Sequence, residues 1–113
     1  MRRSPAPRAI ARGATVALAL VILSGAGRTT PRSHVVDIAG FQFAPAVITV
    51  AVGDTVTWSN HDIVPHTATA MDGAWDSGTL EGTARRSVVV RAKGKVDYRC
   101  TLHPSMMGTV VVR

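Results

Sequence analysis

Residues 34–113 predict an all-β domain, an antiparallel sandwich or barrel of seven to eight short strands. Three observations carry that prediction. Apolar and polar residues alternate with period two in several runs. Turn residues interrupt those runs about every eight to twelve positions. No stretch after Ala26 keeps a helical period.

The chain opens on a segment of different character. Arg2, Arg3, Arg8 and Arg12 give a positive start with no acidic residue, an apolar run fills residues 14–23, and Ser24-Gly25-Ala26 ends it with small side chains. That is the order of a secretory signal, so residues 1–26 are expected to be cleaved and the protein exported, to the periplasm or an extracytoplasmic cell surface. An apolar run of ten residues is short for a membrane-spanning helix, which disfavours an uncleaved anchor and any stable membrane insertion afterwards. The Arg2-Arg3 pair leaves Sec and twin-arginine export both open. Residues 27–33, GRTTPRS, are polar with a proline and read as a linker.

Removing the leader changes the charge argument. The chain has 13 Lys and Arg against 7 Asp and Glu, net +6, but four of the arginines lie in the leader, leaving 9 against 7 and net +2. With no RNP aromatics, zinc-finger spacing or basic helix, nucleic acid is not an expected partner. The remaining 87 residues bury roughly 60–65% of their unfolded surface, so the core is modest.

Within the domain, ITVAVGDTVTW alternates. Ile48, Val50 and Val52 share one face, Gly53-Asp54 marks a turn, and Val56 and Trp58 continue inward. SVVVRAKGKVDYRC reads as a second hairpin turning at Lys93-Gly94. In its second arm Val96, Tyr98 and Cys100 face one way and Lys95, Asp97 and Arg99 the other. GTVVVR closes the chain as a last strand. Trp58, Tyr98 and Met71 are expected in the core, and His34 and His61 in solvent. Residues 54–81 hold five acids and no Lys or Arg, whereas 85–99 hold six basic residues and one acid. Cross-strand pairing on the solvent face would explain this blandly; a polarised surface that orients a redox partner would explain it more sharply.

Cys100 is the single cysteine, so no disulfide can staple this domain. An unpaired cysteine in an oxidising compartment is an intermolecular link, a reactive thiol or a thiolate held by metal. The stretch CTLHPSMMG puts His103 three residues beyond it and Met106 and Met107 further on. Thiolate, imidazole and thioether together select copper over zinc, which gains little from a thioether. A second imidazole is needed. NHDIVPHT offers His66, after a proline at the start of a strand, and His61, in the turn between strands. A bound metal would also add folding free energy that the small core lacks.

GDTVTWSNHDIVPH resembles the G-D-x-V-x-W/F-x-N-x-D…P-H stretch of plastocyanin and amicyanin, and YRCTLHPSMMGTVVV resembles the amicyanin-type Y-x-C-T-x-H-P-x-M-x-G-x-V-V-V ending. Two separated motifs in the right order, in a match running from His34 to Arg113, identify residues 34–113 as a domain similar to the cupredoxins, the type 1 blue copper proteins. The resemblance implies a Greek-key β-sandwich holding one copper ion that cycles between Cu(II) and Cu(I). It implies a trigonal plane of His66, Cys100 and His103 with Met106 on a long axial bond. Met106 is preferred to Met107 because Gly108 and Val110-Val111-Val112 then keep the family register, leaving Met107 as core filler. His103, in a loop with Leu102 and Pro104, becomes the electron exit and the place where redox proteins dock. One departure stands out: Thr67 follows His66 where the family commonly has asparagine. Its backbone and hydroxyl can still tie the two ligand loops together. The segment from His66 to Cys100 also looks a few residues short of its amicyanin counterpart.

The expected function is an exported, monomeric blue copper protein that shuttles single electrons between redox partners and is not an enzyme. A copper-delivery protein is the alternative; delivery sites tend to be open and methionine-rich. A Cys-His hydrolase fails because two residues on one turn leave no separate orienting group or oxyanion hole. A haem carrier fails for want of C-x-x-C-H.

Overall fold

The structure is a computed structural model that describes residues 2–6, 13 and 30–113. The expected leader, 1–26, otherwise lies outside the described residues, as do residues 27–29 of the linker. Eight strands follow in chain order: β1 (Ser33–Ala39), β2 (Gln42–Ala44), β3 (Val47–Val50), β4 (Thr55–Asn60), β5 (Thr69–Ala70), β6 (Arg85–Val89), β7 (Gly94–Arg99) and β8 (Met107–Val112). They form two four-stranded sheets, β2-β1-β4-β6 and β3-β8-β7-β5. The class is all-β, and the strand number is the upper of the two expected.

Period-two alternation does the sorting. Val36, Ile38, Phe43, Val56 and Trp58 of the first sheet and Val50, Tyr98, Val110 and Val112 of the second are all buried. Removing each large side chain from water contributes about 1.5–3 kcal/mol, which makes these residues the main source of stability. The centre is aromatic. Trp58 and Tyr98 are fully buried, their ring centroids lie 5.4 Å apart, and Trp75 stacks on Trp58 at 5.8 Å. Tyr98 pairs across strands with Gly108, and a Cβ at position 108 would clash with the phenol edge of the Tyr98 ring. Glycine is therefore required there for space. Burial pushes the Tyr98 phenol up to about 12, so it stays neutral inside.

Four expectations need correction. The sheets are mixed rather than antiparallel, because β1 runs parallel to β4 and β3 parallel to β8. Neither expected hairpin is one: β3 and β4 lie in different sheets, and so do β6 and β7. Alternation around a turn reveals two strands with inward faces. It does not say whether they hydrogen-bond or meet across the core. Here the chain arches over the end of the sandwich at 51–54 and at 90–93, and Val52, in the first arch, is exposed rather than inward. Met71 is also exposed, at 56%, because β5 ends at Ala70 and Met71 sits in the turn beyond it, its N–H donating to the Asp97 carbonyl.

Candidate metal centre

β4 and β7 run out at the same end of the sandwich, and the segments that follow them, 60–67 and 100–106, meet there. The first is fixed by Asn60, which is 1% exposed. Its side-chain amide donates to the carbonyls of Val64 (2.9 Å) and Leu80 (3.0 Å), and its side-chain oxygen accepts the Asp62 N–H (2.9 Å). His66 is fully buried and is gripped through its backbone by Leu80, in paired bonds of 3.0 and 2.7 Å. Gly82 packs so closely on this segment that a Cβ would lie 3.1 Å from the Asp62 carbonyl oxygen.

Asp62 orients the His66 ring. One carboxylate oxygen accepts from His66 Nε2 at 2.8 Å and from the Phe41 N–H at 2.9 Å; the other accepts the Gly40 N–H at 2.8 Å. The Phe41 N–H, with smaller help from His66 and Gly40, holds the Asp62 carboxyl below its ordinary range despite some desolvation. A carboxylate at Nε2 places the ring proton there and leaves the Nδ1 lone pair free. That Nδ1 faces Cys100 Sγ at 3.8 Å, and His103 Nδ1 faces the same sulfur at 3.7 Å.

The remaining contacts close the site. Thr67 N–H donates to Cys100 Sγ at 3.3 Å, and the Thr67 hydroxyl accepts the Thr101 N–H at 2.8 Å. Thr67 thus ties the two segments through backbone and hydroxyl, as its chemistry allowed. In the second segment the Cys100 N–H donates to the Met106 carbonyl and the Met106 N–H to the His103 carbonyl, at 3.0 and 2.9 Å. Those bonds make 100–106 a closed loop with His103 half-buried on its rim and Met106 only 3% exposed. Met107 is 53% exposed and so is not the core filler expected of it. As the first residue of β8, next to buried Gly108, it takes the outward alternate.

Phe41 was not singled out by sequence reasoning. Gly40 and Phe41 form the two-residue turn between β1 and β2, with φ of 58° and 60°. Positive φ at both positions is what such a hairpin turn needs, yet it costs a phenylalanine about 1–3 kcal/mol. The bonds from Asp62 hold it, and the ring stands edge-on to His66 at 5.1 Å and His103 at 4.9 Å. Asp62 was missed as well, though it lies four residues before His66 inside the NHDIVPH stretch. Phe41, Leu102, Met107 and, at 97% exposed, Ile63 put apolar surface on the segments around the site.

The other histidines stay away. His61 is exposed and bonds Asp37 at 2.8 Å, outside the cluster. His34 is not simply solvated: its Nε2 meets Asp54 at 2.9 Å and its side chain is 27% exposed.

Only His66, Cys100 and His103, among the described residues, gather three such donors, all within 4.8 Å of one another. Bonds of about 2.0–2.1 Å to nitrogen and 2.3 Å to sulfur, splayed in one plane, put nitrogen and sulfur roughly 3.8 Å apart. The observed 3.7 and 3.8 Å fit a single ion held by two imidazoles and a thiolate. Thiolate and imidazole suit copper and zinc alike, and the buried Met106 on the same closed loop adds the thioether that favours copper.

Comparison with known proteins agrees. A family described as copper binding proteins, plastocyanin/azurin family, matches residues 32–113. The chain is 39% identical over 83 residues to amicyanin of Paracoccus denitrificans, a match spanning 69% of this chain and 63% of that protein's length. It is 36% identical over 104 residues to amicyanin-alpha of Methylorubrum extorquens, spanning 88% and 87% of the two. Among solved structures, a Cu(I) form of a mutant amicyanin superposes with a TM-score of 0.67 at 34% identity, covering 72% of this chain and 82% of that one. The matched span contains both sheets and all three converging donors, and the chain therefore belongs to the cupredoxins, the plastocyanin/azurin family of copper-binding proteins.

Proposed function

We propose that this protein is an exported electron carrier, with His66, Cys100 and His103 as the equatorial ligands of one copper ion and Met106 as the weak axial ligand. Bound copper supplies a one-electron Cu(II)/Cu(I) couple. The chain's own part is to hold the donors in a geometry that neither oxidation state remodels. The observation that carries this reading is the set of tethers behind the donors: Asp62 on His66, Thr67 on Cys100, and the main-chain bonds that close 100–106. Ligands fixed in this way support fast electron exchange, because little has to move when the charge changes. His103, half-buried beneath Phe41 and flanked by Leu102 and Pro104, is the exit. Exposed apolar side chains around it suit brief docking of a redox protein, since such a face excludes water without locking the pair together. Residues 1–26 act as the export signal, and the mature domain is a monomer without enzymatic activity.

The test is spectroscopic. The protein with one equivalent of Cu(II) should show an intense visible thiolate-to-copper band and a narrow copper hyperfine splitting, and Cys100→Ser should abolish both. A weak, tetragonal Cu(II) spectrum would overturn the assignment. Retention of Cu(I) alone, with rapid loss to a chelator, would identify a delivery protein instead.

A further inference from the structure

Basic residues run along β6 and β7 to the end of the sandwich away from the metal centre. The six basic residues of 85–99 were expected either to pair across strands or to polarise a surface. Among the described residues every side-chain ion pair involves a histidine, and none of these Lys or Arg side chains meets a carboxylate. Pairing is therefore not what they do. Three of them, Arg91, Lys93 and Lys95, line a groove of about 560 Å³ whose apolar floor includes Trp75, Val88 and Val96. The one acid on its lining, Asp72, already accepts the Ala74 N–H at 2.9 Å.

The groove runs between two strand edges. Among the described residues β6 ends the first sheet, and its outer backbone groups have no strand partner there. On β7, β5 pairs only at Tyr98 and Arg99, which leaves the stretch from Gly94 to Val96 uncovered on that side. Free edges invite an added strand. Arg85 and Arg86 on β6 would repel a second copy of this chain, so the charge selects an acidic occupant.

We propose that this groove binds an extended, acidic segment of a partner protein. The segment adds along β6 as a fifth strand of the first sheet. On the side of that strand turned to the groove its apolar residues reach Trp75, Val88 and Val96, and carboxylates at the end nearest the 90–93 arch meet Arg91, Lys93 and Lys95. From Gly94 to Cys100 the chain climbs about 20 Å at some 3.3 Å per residue. The groove is thus a surface separate from the His103 face, and its occupancy does not depend on copper. A partner tethered there would keep its redox centre at high effective concentration near the exit without a tight contact at the exit itself.

The probe is an eight-residue peptide alternating glutamate and valine, with a lysine–valine peptide as control, added to the ¹⁵N-labelled protein with and without copper. Amide shifts should change in β6 and at 91–96, Trp75 fluorescence should respond, and both forms should bind alike. Lys93→Glu with Lys95→Glu should weaken binding about tenfold or more, as should a rise in salt with the unaltered protein. Those two exposed positions keep the fold, and the salt series tests charge without any substitution. The proposal is overturned if the lysine–valine peptide binds equally well, or if shifts gather around His103. It is equally overturned if phosphatidylglycerol vesicles capture the protein while the acidic peptide leaves the groove unmoved.

Discussion

Two aspartates at opposite ends of this molecule make the same clamp. Asp62 accepts the Gly40 and Phe41 N–H groups and the Nε2 of His66. Asp54 accepts the Arg32 and Ala51 N–H groups and the Nε2 of His34. Each carboxylate pins a strand connection and orients an imidazole. The difference lies beyond the imidazole. The Nδ1 of His66 looks at a thiol 3.8 Å away, with a second imidazole 3.7 Å from the same sulfur; the His34 ring is partly open to solvent. A carboxylate–histidine pair is therefore a general fastening, and it becomes part of a metal centre only where the second nitrogen meets other soft donors.

The hardest test of that comparison removes the imidazoles. His66→Gly should abolish the intense visible band of the copper-loaded protein, whereas His34→Gly should keep the band at full intensity and only lower the thermal midpoint. His103→Gly adds a contrast: because His103 is half-buried and His66 fully so, millimolar imidazole should restore colour to the first variant and not to His66→Gly. Equal rescue of both, or loss of the band in His34→Gly, would break the distinction between the two clamps.

Next comes the carboxylate itself. Asp62→Asn keeps the shape but sets an amide donor against one of three donors that now point at the carboxylate. Copper affinity should fall about 10–100-fold, as for other groups that hold a metal ligand from behind. The potential should rise, because a negative charge beside the imidazole favours Cu(II). Asp54→Asn should leave affinity and potential alone. A competition titration against a copper chelator reads the affinity and cyclic voltammetry the potential, and equal affinities for the two variants would erase the contrast.

How much of this was legible in the sequence follows from how local each signal is. Period-two runs and turn residues are local, so the β class and the inward positions of Trp58, Tyr98 and Cys100 could be read directly. Ligand spacing around Cys100 is local too, and the order of motifs supplied His66. Sheet membership is not local. The arches at 51–54 and 90–93 look like hairpin turns because both kinds of connection need the same residues, and the choice is made by which apolar faces meet across the core. His34 finds Asp54 twenty positions away, and Asp62 finds the Gly40–Phe41 turn. No window of sequence holds both partners of either bond. Met71 was misplaced for a related reason: its hydropathy suits a core, but the short β5 ends one residue before it.

A smaller effect separates the adjacent methionines. Met106 is buried behind the closed loop and Met107 faces out from β8. Met106→Gln should retain copper but lower the potential, by about 59 mV if the preference for Cu(II) over Cu(I) rises tenfold. Met107→Gln should hardly change it. Cyclic voltammetry of the two variants decides, and a larger shift at Met107 would move the axial ligand by one residue.

The smallest expected effect isolates the clamp that holds no metal. The backbone N–H groups of Arg32 and Ala51, with His34, lower Asp54 to about 2 from an ordinary 3.8. A depressed carboxyl binds its proton more weakly in the folded chain than in the unfolded one. Its contribution to stability is therefore complete above about pH 4 and disappears as pH falls towards 2. Copper-free protein is the right material, since acid release of the metal then plays no part. The urea midpoint of the unaltered chain should exceed that of Asp54→Asn by a constant margin from pH 6 to about pH 4.5, and the margin should narrow below that. Asp62 is lowered too, so the variant should keep some acid sensitivity of its own. A margin that stays unchanged down to pH 2 would mean that Asp54 works through shape and packing rather than charge, and the likeness between the two clamps would then be one of geometry alone.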